Sequence, residues 1–324
     1  MTGYSISWNL IADIRFMFQF EFIQNAYAAG TVIAIVAGIV SYLVVLRRSS
    51  FAAHALGHIG FSGAAGAVLF GVNPIFGLLL FTTGGGTGMA ILGSRASQRD
   101  VEIGTILAFM LGLGVLFLAY YNGFADEAYS ILFGQLVGIS PAQVEFTVLT
   151  AIPVLVGLGL VYRQLLFASL DEEVAEAKGM HTLLLGWVFM LALAVAISIA
   201  VTIIGVLLIF ALTVTPAAIA IRLAKRPLIA VTLAALIALG AMWAGIFAGF
   251  WLSVSGGPDL SRIPTSFYIV TFVFVIYVIV RAIPLVQPPI MRLLRRPAAE
   301  PSTPMAPVSA APKLADPAAD SQSL

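Results

Sequence analysis

The chain has no cysteine, and only 10% of its 324 residues are charged. The missing thiols exclude disulfides, thiolate-ligated metals and iron–sulfur clusters, leaving His, Asp and Glu as the strong side-chain ligands for a transition metal. Scarce charge excludes more: a soluble domain carries roughly 25% charged residues. The 16 Lys and Arg nearly balance the 15 Asp and Glu, giving a net charge of +1. No basic excess is therefore available to neutralise phosphates, and nucleic acid is not an expected partner. Histidine is also rare, with three in all. Residues 1–22 carry Asp13, Arg15 and Glu21 among scattered aromatics, so they do not read as a cleavable signal peptide.

What fills the chain is apolar: 60% hydrophobic residues and a mean hydropathy of +1.05. The fold class follows as all-α, a polytopic bundle with lipid as its solvent, because roughly 20 apolar residues at about 1.5 Å rise each span the hydrocarbon layer. Residues 22–46 make one span, closed by Arg47 and Arg48. Residues 51–93 contain no Asp, Glu, Lys or Arg and suffice for two, with Gly71-Val72-Asn73-Pro74 as the turn between them. Further spans are read at 102–121, 145–162, 228–252 and 264–283.

The uncharged stretch 179–221, interrupted by Pro216, reads as one crossing or as two. Two crossings give about nine in all and put every Lys and Arg except Arg15 and Arg262 on one side. A single crossing splits them nearly evenly, against the positive-inside rule. The nine-crossing reading places the amino end outside and the carboxyl end in the cytoplasm of a cell (inner or plasma) membrane. Three regions follow: an outer-face segment over 1–21, read either as an interfacial helix or as a soluble arm; a membrane domain over 22–283; and a disordered Pro/Ala-rich cytoplasmic tail over 284–324.

Glycine occurs 30 times. Gly57, Gly60, Gly63 and Gly66, spaced by three, suit close helix contact. The run 82–88, Thr-Thr-Gly-Gly-Gly-Thr-Gly, lacks the Gly-Lys-Ser/Thr of a phosphate loop and is read as packing. His54 and His58, four apart, share one helix face. Polar side chains at membrane depth are costly, so this pair is a metal-ligand candidate, with helix packing as the alternative. Thr213, Thr215 and Pro216 sit where a proline removes a backbone donor, which either lines an ion path or merely kinks a helix. Asp126 and Glu127 belong to an acidic outer mouth that attracts cations or is simply solvated. Residues 171–179, Asp-Glu-Glu-Val-Ala-Glu-Ala-Lys-Gly, read as a short amphipathic helix suited to a partner's groove, or as a charged loop.

Four pieces in order, residues 46–58, 131–140, 170–179 and 205–220, resemble the permease subunits of ABC transporters that import zinc, manganese or iron. The resemblance covers about residues 22–283. It implies a homodimer of this subunit, cytoplasmic ATPase subunits, and an external metal-binding protein that delivers the ion. It makes 171–179 the coupling helix, with Asp171, Glu172, Glu173, Ala175 and Gly179 at the ATPase, and it puts His58 on the family's path histidine. His54 stands where the family commonly has aspartate, and this softer, less anionic ligand shifts the expected cargo away from manganese toward zinc or another late metal, or marks a branch that carries a different ion. No cofactor is expected in the chain itself, and hydrolysis of ATP falls to the separate subunit.

Two other classes compete with this one. An intramembrane metalloenzyme lacks its general base, since neither histidine is followed by glutamate as in His-Glu-x-x-His. A secondary metal transporter or channel not powered by ATP is the stronger competitor on composition alone, and it predicts uptake that persists without ATP and no partner bound at 171–179.

Overall fold

A computed structural model describes residues 10–92, 99–121, 134, 136, 138–255 and 263–286. Among the described residues there are eleven helices and no strand: α1 (Leu10–Met17), α2 (Glu21–Leu46), α3 (Ser50–Leu69), α4 (Pro74–Leu92), α5 (Arg99–Tyr120), α6 (Pro141–Leu170), α7 (Glu172–Ala177), α8 (Thr182–Ile204), α9 (Val206–Leu223), α10 (Pro227–Ser255) and α11 (Thr265–Val286). Helices are the expected choice in hydrocarbon, where every backbone N–H and C=O must find its partner within the chain. Prolines open α4, α6 and α10, a position where no helical donor is lost. Ser140 and Gln143 form a capping box at the start of α6. The turn read at 71–74 is present, with Gly71 at φ 68 and Asn73 Oδ1 accepting from the Ile75 N–H at 2.9 Å.

Among the described residues, seven helices are long and apolar enough to cross a membrane: α2, α4, α5, α6, α8, α10 and α11. Two more, α3 and α9, are 20 and 18 residues long and carry the histidines and the Thr/Pro group. The polytopic all-α class is therefore as expected. The stretch 179–221 divides into α8 and α9, and the break falls at Gly205 (φ 89, ψ 161), not at Pro216, which lies inside α9. Helix α6 runs through Arg163 to Leu170, well past the expected end near 162, because an exposed Arg can extend its head to the polar layer while the helix continues.

Two ends of the bundle can be told apart by contact. At one, the close of α2, α4 and α6 meets the opening of α5 and α8 around a shared cavity. At the other, Asn25 of α2 donates to the Ile139 carbonyl, Ser266 of α11 donates to the Ile204 carbonyl, and Phe20 meets Phe250. The core is α2, α3 and α8. Two thirds of the α2 and α8 spans are buried, 67% each, against 11% for α5. The peripheral helices instead turn Phe109, Leu160 and Phe274 outward, as lipid-facing surfaces do.

The glycine stripe of α3 is packing, as read. Gly57 lies against Val206 and Ile209 of α9, and Gly60 and Gly63 against α4. A Cβ at Gly63 would overlap the Gly77 carbonyl oxygen, so the two backbones touch. Thr82, from the glycine-rich run, bonds Ser198 of α8 and its own backbone, and Gly86 abuts Ala194. Residues 1–282 form one compact unit; 283–324 form a second, of which only the last turn of α11 is described.

Candidate functional site

Helix α3 is buried along nearly its whole length. Between its first residue and Ala67 the exceptions are Phe51, His54 and His58, which fall at helical spacing on one face. Both imidazoles therefore point away from the core that α3 otherwise fills. Their ring centroids are 4.6 Å apart and nearly perpendicular, at 81°. Zinc–imidazole bonds are about 2.0–2.1 Å, so rings this close can present a nitrogen each to one ion. Ser62, one turn on, donates to the carbonyls of His58 and of Met110 on α5, which fixes that part of α3.

A third ring completes the cluster. Phe210, in the opening turns of α9 after Gly205, meets His54 at 5.1 Å and 73°. Phe210, Ala211, Val214, Thr215 and Ala218 are incompletely buried positions of one α9 face, and Phe210 brings that face to His54 of α3. Among the described residues, no group of three or more His, Cys, Asp and Glu side chains is arranged to hold a metal. The pair therefore presents two imidazoles, and no carboxylate among the described residues joins them.

The Thr/Pro group lies further along α9. Thr213 is buried and donates to the Ile209 and Phe210 carbonyls, so its hydroxyl serves the helix. Pro216 removes the N–H that would reach the Leu212 carbonyl, yet the helix continues to Leu223. Thr215 is half-buried. Asp126 and Glu127 lie outside the described residues.

Within residues 171–179 a short helix, α7 (Glu172–Ala177), forms in place of a loop. Asp171 caps it, accepting from the Val174 N–H at 3.0 Å. Its end is a Schellman turn: Gly179 at φ 80 donates to the Glu176 carbonyl, and Met180 donates to the Ala175 carbonyl. Ala175 is fully buried, while Asp171, Glu172, Glu173, Val174, Glu176, Ala177, Lys178 and Gly179 are exposed. Two further contacts tie the helix down. Thr182 of α8 donates to Glu176 Oε1, and Lys178 Nζ sits 4.8 Å over the Phe167 ring of α6. Glu176, Thr182 and Lys178 do not stand out in the sequence; the signal available is a carboxylate six residues before a threonine across a glycine stop.

Beside this helix is a cavity of about 880 Å³, bordered by Arg47, Arg48, Asp100, Glu172, Glu176 and Thr182, among others. Arg47 lies over the Phe189 ring at 5.1 Å, joining the end of α2 to α8. Leu170, Leu183 and Leu184 are exposed around α7 at 71%, 62% and 63%, an apolar rim about a charged knob.

The profile of the ABC 3 transport family matches residues 19–275. The chain belongs to that family. It is 28% identical over 260 residues to a manganese import system permease protein ScaB of Streptococcus gordonii, covering 80% of this chain and 93% of that one. It is 25% identical over 259 residues to a manganese transport system membrane protein MntC of Listeria monocytogenes, covering 80% and 92%. Its fold matches the structure of PsaBC from Streptococcus pneumoniae in complex with Fab at TM-score 0.73 and 24% identity, over 84% of this chain and 95% of that chain. As a member of the ABC 3 transport family, the chain is a multi-pass membrane permease of an ABC transporter and resides in the plasma membrane.

Proposed function

We propose that this permease carries divalent metal ions inward in an ATP-driven importer, with zinc favoured over manganese or iron. The observation that carries the reading is the pair His54 and His58, the polar part of the open stripe on an otherwise buried helix. The relatives' names support metal import in general. The ligand chemistry supports the ion: two neutral imidazoles suit late first-row metals, whereas manganese prefers carboxylate, carbonyl and water oxygens. The manganese names of the relatives favour a second reading, in which this chain also passes manganese.

In this reading a second copy faces its own α3 and α9 toward these, so that the path runs between copies. The chain makes about nine crossings, amino end outside, with the α7 end in the cytoplasm. ATPase subunits seat on the knob 171–179 and its apolar rim; an external metal-binding protein delivers the ion. Closure of the ATPases moves α7, which α8 follows through the Thr182–Glu176 bond, and α8 ends at Gly205 beside the α9 turns that carry Phe210. The chain performs no covalent chemistry; His54 and His58 hold the ion in transit and release it because two ligands do not make a closed cage.

The test is metal uptake by the whole transporter, offered zinc, manganese and iron in turn. Replacing both histidines by alanine abolishes uptake while the complex still assembles; normal uptake by that variant rejects the site. The permease alone in liposomes passes no ion, and brisk flux there rejects the ATP-driven reading in favour of a channel.

A further inference from the structure

Phe210 reaches from α9 to the histidine face of α3, its ring centroid 5.1 Å from that of His54. Its ring packs edge-to-face on His54, and Phe51 occupies the position one turn before His54 on the same open stripe. Phe210 is thus the phenyl ring in contact with the histidine pair, while the Phe51 ring extends toward Gly104 of α5. Phe210 is 38% exposed and Phe51 equally so, so each ring borders the open face as well as the histidine stripe. A phenyl ring offers no lone pair to a cation and cannot replace a lost water ligand.

We infer that Phe210 is a specificity-determining residue: an apolar wall that limits the water an ion can keep beside His54 and His58, and so selects late divalent cations of low coordination number. Zinc is content with four ligands, including nitrogen. Ions that favour six oxygens and retain several waters lose shell members against the ring without compensation. Phe210 belongs to the opening turns of α9, which α3 admits closely through Gly57. The inference rests on the reading of His54 and His58 as ligands.

The experiment measures the manganese-to-zinc uptake ratio of the complete transporter in proteoliposomes, with the same binding protein throughout, so that any change belongs to the permease. Phe210→Ser opens room for water and raises the ratio about tenfold, equivalent to some 1.4 kcal/mol of relative preference. Phe210→Leu keeps an apolar wall and leaves the ratio as it was. If Phe210→Ser fails to assemble, Phe210→Gln, nearer in size, is read by the same ratio and moves it the same way. An unchanged ratio in the polar variants, or an equal rise in Phe210→Leu, overturns the inference. Normal uptake by the double histidine variant overturns the ligand reading beneath it instead, whatever the ratio does.

Discussion

Thr182 Oγ1 donates to Glu176 Oε1 at 2.5 Å, which fastens the exposed helix α7 to the first residue of α8. Because α8 is the 23-residue core helix that ends at Gly205, this bond joins the charged knob to the membrane interior. Thr182→Val keeps the shape and removes the donor. ATP hydrolysis by the assembled transporter should persist while metal moved per ATP falls several-fold, and folding stability should drop by about 1 kcal/mol. Phosphate release and uptake measured side by side decide it; an equal fall in both counts against a coupling role.

Gly205 is the second expectation. Its φ of 89 with ψ of 161 belongs to a region essentially closed to residues with a Cβ. Gly205→Ala should cost about 1–3 kcal/mol and lower the melting temperature of the purified protein. Gly240, in the middle of α10 with nothing near its would-be Cβ, is the control: Gly240→Ala should be neutral or mildly stabilising.

Much of the architecture is legible in the residues, and the reasons for the exceptions are physical. Uncharged runs locate the spans, since membrane depth forbids unpaired charge. The turn before Pro74 and the α3 stripe are also readable, because Gly, Asn and Pro at those spacings have few other uses. The break inside 179–221 is not where the residues suggest it: proline is the louder signal, but membrane helices tolerate it, whereas a glycine that bends the chain looks like any glycine that packs. Ala175 falls among the partner-facing residues by sequence, yet it points inward; a six-residue helix has too few positions for periodicity to tell its faces apart. Phe210 carries no signal of its own, because a phenylalanine in a span is ordinary until the fold sets it on His54.

The contact of Gly63 with Gly77 gives the third expectation. Each would-be Cβ overlaps the other residue's carbonyl oxygen, and backbone cannot yield as a side-chain tip does. Gly63→Ala should destabilise by about 3 kcal/mol or more, since overpacking here must push α3 and α4 apart. Thermal unfolding in detergent measures it. Gly84→Ala, whose Cβ meets open space inside α4, should leave the midpoint unchanged or raise it slightly.

Ala175 and Glu173 separate anchoring from docking. Ala175 is wholly buried on the underside of α7, so Ala175→Leu forces extra volume under the knob and should cost about 1–3 kcal/mol while also weakening ATPase attachment. Glu173 is exposed and its carboxylate has no packing duty that burial would impose. Glu173→Arg should therefore leave unfolding within about 0.5 kcal/mol of the parent. If the ATPase seats on this face, the same substitution lowers ATPase affinity and transport together, and does so more at low than at high ionic strength, because exposed charges are screened by salt. A pull-down of the ATPase across a salt series distinguishes the two variants: Ala175→Leu should fail at every salt concentration, whereas Glu173→Arg should improve toward the parent as salt rises. Parental binding by Glu173→Arg at the lowest salt would remove that carboxylate from the docking surface and shift attention to the leucine rim.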